Sequence, residues 1–431
     1  MVTMRKIYII FLIQFALSVV CYSQNLKDKL DSLSKLYNFT VEELKVDSLF
    51  EVKYLLQFKQ VVDHQNPEGV KFSQRVFLSH LDFNKPVVFI TEGYTAWHAE
   101  NPKFVSELAG LLHTNQICVE HRYFGTSIPE PLKWDYLTVS NAAADHHRII
   151  EVLKLLYNGK WINTGISKGG QTTMYHRFFY PEDVDISVPY VAPLNFSVEE
   201  QRVYMFLDSV GSKFCRERIF QFQKELMQNK ADYIDEFEKL AQEKKLTYRM
   251  GIEKAYDLTV FEYSFAFWQW GYFTCEQIPG DITSKEKLIK HLDDVAGMKW
   301  ISNEGIEDLQ PFFYQAIREM GFYGYDISPF KEWTTFTKNP TFEFSLPEGV
   351  SVDYSPHLME EVDFFIRHKA NNMIFIYGEY DPWSAPAVEL TYHTNSIKIV
   401  KPKGSHRTRI NNLPESQKRQ VINTLMEWLE Q

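Results

Sequence analysis

The run Trp161-Ile162-Asn163-Thr164-Gly165-Ile166-Ser167-Lys168-Gly169-Gly170 decides how this chain folds. Its first four residues have the aromatic and β-branched side chains of a buried strand, and the residues beyond Gly169 read as a helix. Between them stands G-x-S-x-G, Gly165 to Gly169. A strand that turns directly into a helix needs glycines where side chains would clash, and it lifts its central residue, Ser167, to the carboxyl edge of a sheet. The bland reading of the same letters is a glycine-rich turn with a surface serine. The strand-to-helix context favours a nucleophile elbow.

On either side of this turn, short apolar runs alternate with helical stretches. Residues 86–91, 116–120 and 184–191 read as further strands, and 104–112 and 142–156 as helices. Such alternation implies parallel βαβ units. It stops at Leu194 and returns after about Pro340, with strands over 372–377 and 397–400 and helices over 385–392 and 414–430. The intervening segment is helical, with a long charged amphipathic helix or pair of helices over 219–246. The aromatic stretch Phe261 to Trp270 reads as the core of a cap. Residues 25–84 are charged and weakly patterned, with one helical run near 26–36. The expected architecture is an α/β-hydrolase fold, a mostly parallel sheet with an inserted helical cap. Its first core part spans 24–193, the cap 194–339 and the second core part 340–431, after a signal peptide over 1–23.

A serine nucleophile needs a general base and a carboxylate that orients it. In this fold the order is Ser, then Asp or Glu, then His. The strand running into Tyr377-Gly378-Glu379-Tyr380-Asp381-Pro382 places an acid at a strand end, and only His393 and His406 follow it. Pro382 fixes the loop after Asp381, which favours Asp381 over Glu379. His406 lies in a loop just past a strand, whereas His393 falls near the end of the helix expected over 385–392. The expected catalytic set is Ser167, Asp381 and His406. The backbone N–H of Lys168 and one near Gly93 or Tyr94 complete an oxyanion hole. Asp145-His146-His147 superficially suggests a metal site, but adjacent helical residues point apart and no second cluster has ligand spacing. No metal or cofactor is expected.

Several blocks then become specific. Glu120-His121-Arg122-Tyr123-Phe124-Gly125, Phe104 to Ala109 and Asp381-Pro382-Trp383-Ser384 resemble the proline-directed serine exopeptidases of the prolyl carboxypeptidase and dipeptidyl peptidase II group. Thr164 to Thr172, Tyr175-His176-Arg177 and Tyr180 to Asp185 are similar to the bacterial secreted tripeptidyl aminopeptidase family. The resemblance covers the core and is weak in the insertion. It implies Ser, Asp and His at Ser167, Asp381 and His406, in agreement with the chain order. Lys168 departs from the Tyr common at that position in the dipeptidyl peptidase group, which bears on substrate preference. His121 and Arg122 fit either a structural network or a functional role.

The resemblance implies a serine exopeptidase that releases short peptides, tripeptides with a proline preference, from free N-termini. An exported carboxylesterase or lipase with the same triad, and a non-catalytic glycan binder, are the alternatives. Recognition of an α-ammonium needs a carboxylate. Glu92 and Glu120 end strands at the edge where open α/β sheets bind ligands, and Glu262 or Glu276 of the cap serve equally well. An internal ion pair with Arg122 or His121 competes for Glu120.

Composition sets the outer bounds. Hydrophobic residues make up 45% and charged residues 24% of 431, which excludes a disordered chain. A net charge of −10 argues against nucleic acid as partner. Arg5 and Lys6, an apolar run over 7–20 and Cys21-Tyr22-Ser23 before Gln24 read as a cleavable export signal, too short to span a membrane. A lipid anchor on Cys21 is disfavoured by the bulky Val20. The expected location is therefore secreted or periplasmic. In an oxidising compartment Cys215 and Cys275 can pair, while Cys118 reads as a buried thiol. Oligomeric state is left open.

Overall fold

A computed structural model describes residues 26–280 and 284–431. Among the described residues, nine strands form one sheet in the order β1-β2-β3-β5-β4-β6-β7-β8-β9. They are β1 (Phe39–Leu44), β2 (Val52–Val61), β3 (Lys71–His80), β4 (Val87–Thr91), β5 (Asn115–Val119), β6 (Trp161–Ile166), β7 (Ile186–Tyr190), β8 (Ile374–Gly378) and β9 (Ile397–Lys401). From β5 through β9 every pairing is parallel, and β1, β2, β3 and β5 pair antiparallel. This is the expected α/β-hydrolase sheet. The signal-peptide reading over 1–23 lies outside the described residues.

β4 shows why the middle of the sheet reads as unbroken apolar runs: it is buried on both faces. Val88 and Ile90 pack with α2 (Glu107–Leu112) and α12 (Glu415–Glu430). Val87 and Phe89 face α1 (residues 26–37) and α3 (Val139–Leu153). The three antiparallel strands arise where the residues show little pattern. Lys53, Gln60, Gln74, Arg75 and His80 are all buried within them, and Gln60 Nε2 donates to Gln74 Oε1 at 3.0 Å. Polar residues that satisfy one another inside the sheet erase the alternation by which a half-buried strand is recognised.

The cap enters between β7 and β8. It holds α5 (Gln201–Ser209), α6 (Lys213–Gln228), α7 (Lys230–Glu243), α8 (Ile252–Trp270), α9 (Lys285–Ala296) and α10 (Asn303–Gln315). The segment 219–246 resolves into α6 and α7. Cys215 and Cys275 are disulfide-bonded, tying the start of α6 to the turn after α8. The aromatic stretch lies on α8, which is buried almost all round. α11 (His357–His368) returns to the core, with Phe365 against Phe178 of α4 (Lys168–Phe179). One expected helix is absent: 385–392 is loop beyond a short 3-10 turn, Pro382–Ser384. Pro386 has no N–H to donate into a helix continuing from that turn. Among the described residues no helix is long and apolar enough to cross a membrane.

Candidate active site

Ser167 is the residue between β6 and α4, at φ 57° and ψ −121°. This left-handed backbone is strained for a residue with a Cβ. Gly165 permits it, since a Cβ there would lie 2.2 Å from the Gly169 carbonyl oxygen. Gly169 is equally constrained, with a Cβ position 2.7 Å from the Thr91 carbonyl. Hydrogen bonds from Ser167 N to the Tyr190 carbonyl and from Gln171 N to the Ser167 carbonyl, each 2.9 Å, lock the turn.

Asp381 follows β8 and is fully buried. Its Oδ1 accepts from Trp383 N at 3.2 Å, and its Oδ2 lies 2.7 Å from His406 Nδ1. That pairing leaves His406 Nε2 as the imidazole atom available to a nucleophile. His406 is held a second time, by a 2.8 Å bond from its backbone N–H to the Gln269 carbonyl near the end of α8. Trp270 stands edge-on to the imidazole at 5.9 Å. Ser167 and His406 line one cavity of about 530 Å³ between core and cap, although no hydrogen bond joins them. Such bonds are often long before substrate binds. His393 is exposed in a loop beside His368, away from this cavity. Glu379 accepts from Lys403 N and shapes the loop that carries His406.

Gly93 presses against the elbow: a Cβ there would lie 2.6 Å from Gly169 N. The backbone N–H groups of Gly93, Tyr94 and Lys168 donate to no other described residue. Lys168 is itself unusual. Its amine is buried, has no hydrogen-bond partner and lies 5.4 Å from the Phe124 ring and 5.7 Å from the Tyr94 ring. Burial pushes its pKa well down.

The acidic candidates separate cleanly. Glu92 lines the cavity, with Oε1 3.1 Å from His98 Nε2. Glu120 does not reach it. Its buried carboxylate accepts from Arg75 Nε (2.9 Å) and Nη2 (2.5 Å), from Ser127 Oγ (2.8 Å), and from the backbone N–H of Ala96 and Thr126. A carboxylate so saturated is a structural brace, so Glu120 is removed from the substrate-binding set; its ionic partner is Arg75 of β3. Arg122 likewise clamps Asp145 bidentately and donates to the carbonyls of Val62 and Tyr136. His121 Nδ1 lies 2.7 Å from the Arg122 carbonyl. This block is the structural network. Glu276 is exposed and lies off the cavity. Glu262 of α8 lines it, as does Asn195 beyond β7. Asn195 escaped the sequence reading; the one available signal was a polar residue shortly after a strand's carboxyl end.

Asp145, His146 and His147 share no metal geometry, because Asp145 is taken by Arg122 and His147 pairs with Asp183 at 2.8 Å. Glu92, His98 and Cys118 do bring one ligand atom each within 4.8 Å of one another. Burial, and then the neighbouring Glu92, push the Cys118 thiol well up, and Glu92 Oε1 pairs with His98 Nε2 at 3.1 Å and accepts from the thiol.

A buried Asp–His pair, an exposed-edge serine and free N–H groups beside it can perform acyl transfer. A family profile described as PS-10 peptidase S37 matches residues 22–430. The chain is 32% identical over 384 residues to the prolyl tri/tetrapeptidyl aminopeptidase of Streptomyces mobaraensis, covering 87% of this chain and 80% of that one. It is 31% identical over 157 residues to the lysosomal Pro-X carboxypeptidase of Homo sapiens, covering 32% of each. Acetyl xylan esterase 1 from Thermoanaerobacterium is similar in structure with a TM-score of 0.38 and 9% identity, over 94% of this chain and 93% of that one.

Proposed function

The chain belongs to the PS-10 peptidase S37 family of serine peptidases, and from that premise we propose that it releases short peptides, tripeptides with a proline preference, from free N-termini. Ser167 attacks the scissile carbonyl while His406 takes its proton, and Asp381 holds the imidazole tautomer. The N–H groups of Lys168 and of Gly93 or Tyr94 receive the developing oxyanion, each worth roughly 3 kcal/mol in the transition state. His406 then protonates the leaving amine, and water releases the acyl-enzyme. The observation that carries this reading is the 2.7 Å Asp381–His406 pair in one cavity with the elbow serine. The cap residues along one side of the cavity support an exopeptidase, since a cavity walled on that side takes a chain end more readily than the middle of a chain. Export of the enzyme is part of the proposal, supported by the Cys215–Cys275 bond, which suits an oxidising compartment.

Digestion of a peptide library by the purified enzyme, read by mass spectrometry, tests it. The expected products are tripeptides from the amino end, absent with Ser167→Ala. Internal cuts, turnover of aryl esters alone, or activity surviving in Ser167→Ala would refute the reading.

A further inference from the structure

Glu262 occupies the middle of α8, 4% exposed, on the wall of the cavity that holds Ser167 and His406. Its Oε2 accepts from Tyr323 and Tyr325 hydroxyls, both at 2.7 Å. Its Oε1 accepts from no described residue, and no cation among the described residues acts on it. Burial pushes its carboxyl up to about 8, and the two hydroxyls, which pull it back down, are the only other groups acting on it. Asn195 lines the same cavity at 1% exposure. Its Nδ2 donates to the carbonyls of Met320 (3.4 Å) and Gly321 (3.1 Å), which fixes the amide orientation and leaves Oδ1 buried without a donor.

Buried acceptors are ordinarily paired, and a buried carboxylate ordinarily has a cation. Here two buried residues line one cavity, and each has an acceptor that no described donor fills. We propose that Glu262 Oε1 and Asn195 Oδ1 receive the protonated α-amino group of the substrate, making this wall the subsite for the peptide N-terminus. The inference rests on the aminopeptidase reading and names its specificity residues. An α-ammonium supplies compact charge and three donors, enough for both acceptors. Tyr323 and Tyr325 hold the carboxylate in place for it. Glu92, the other acid on the cavity, is already engaged by His98. Arg407 and Arg409, next to His406 on the sequence, line the cavity too. The walls are thus acidic at the cap and basic beside the base, which suits a peptide running from its ammonium on Glu262 past His406.

The test compares Ala-Ala-Pro-p-nitroanilide with its N-acetyl form in wild type, Glu262→Gln and Glu262→Asp. Wild type is expected to favour the free amine. In Glu262→Gln the KM for the free amine should rise about 100-fold with kcat within a few-fold, collapsing the preference. Glu262→Asp should restore part of it. A Glu262→Gln enzyme that keeps the wild-type preference, or one whose KM rises equally for both substrates, overturns the assignment and leaves the aminopeptidase reading intact. A wild type indifferent to acetylation overturns both. Should Glu262→Gln fail to fold, a crystal structure of Ser167→Ala with Ala-Ala-Pro decides. A terminal nitrogen on Glu262 and Asn195 supports the subsite, and one on Glu92 or in solvent overturns it.

Discussion

Ser167 is held in a backbone conformation that costs on the order of 1–3 kcal/mol, and the two flanking glycines explain why G-x-S-x-G was readable in the sequence: no other residue fits 2.2 Å from a carbonyl. The pairing of Asp381 with His406 was legible from chain order, because one fold fixes which strand ends meet. Asp381→Asn should lower kcat about 10⁴-fold with KM little changed, since the wrong imidazole tautomer then faces Ser167; a loss under tenfold in steady-state kinetics would contradict that role. Glu120 and Glu262 were not separable by sequence, because a carboxylate's worth depends on which cation folds against it. Arg75 lies 45 positions from Glu120 and reaches it only across β3 and β5. Glu262 has a folded pKa raised above its unfolded value, so the folded state binds more protons and stability falls as pH rises between about 4.5 and 8. Glu262→Gln should therefore melt near wild type at about pH 5 and above it at about pH 9. Scanning fluorimetry across that range checks this, and a difference constant with pH would contradict it.

At the scale of elements, the parallel strands and α3, α4 and α12 followed the sequence closely, because both faces of each central strand are covered and apolar or β-branched residues dominate its letters. β1 to β3 did not, for the reason visible at Lys53 and Arg75: their polar side chains are paired inside the fold, not turned to water. The cap is the element with the least help from the sheet, and the Cys215–Cys275 bond closes it across 60 residues. A loop of that length is worth about 4 kcal/mol in the chain-entropy account. The paired Cys215→Ser and Cys275→Ser variant should melt several degrees lower and lose cap helices to limited proteolysis first. Equal melting temperatures with and without the bond would show that packing alone holds the cap.

For the whole molecule, core and cap share a broad seam, with Trp134 against Tyr314 and Val139 N–H on Glu319, and the candidate site lies within it. The candidate cavity takes walls from the elbow, from the loops after β4, β7 and β8, and from α8, so neither half encloses it alone. A folded protein offered as substrate should lose residues from a frayed N-terminus and show no internal cuts. Intact-mass spectrometry of such a digest checks this, and internal fragments would show a cavity open to mid-chain segments. The bond from His406 N–H to the Gln269 carbonyl joins the base to the roof. Were α8 to shift, that bond would have to break or carry the imidazole with it, so the place of His406 answers to the cap as well as to the sheet.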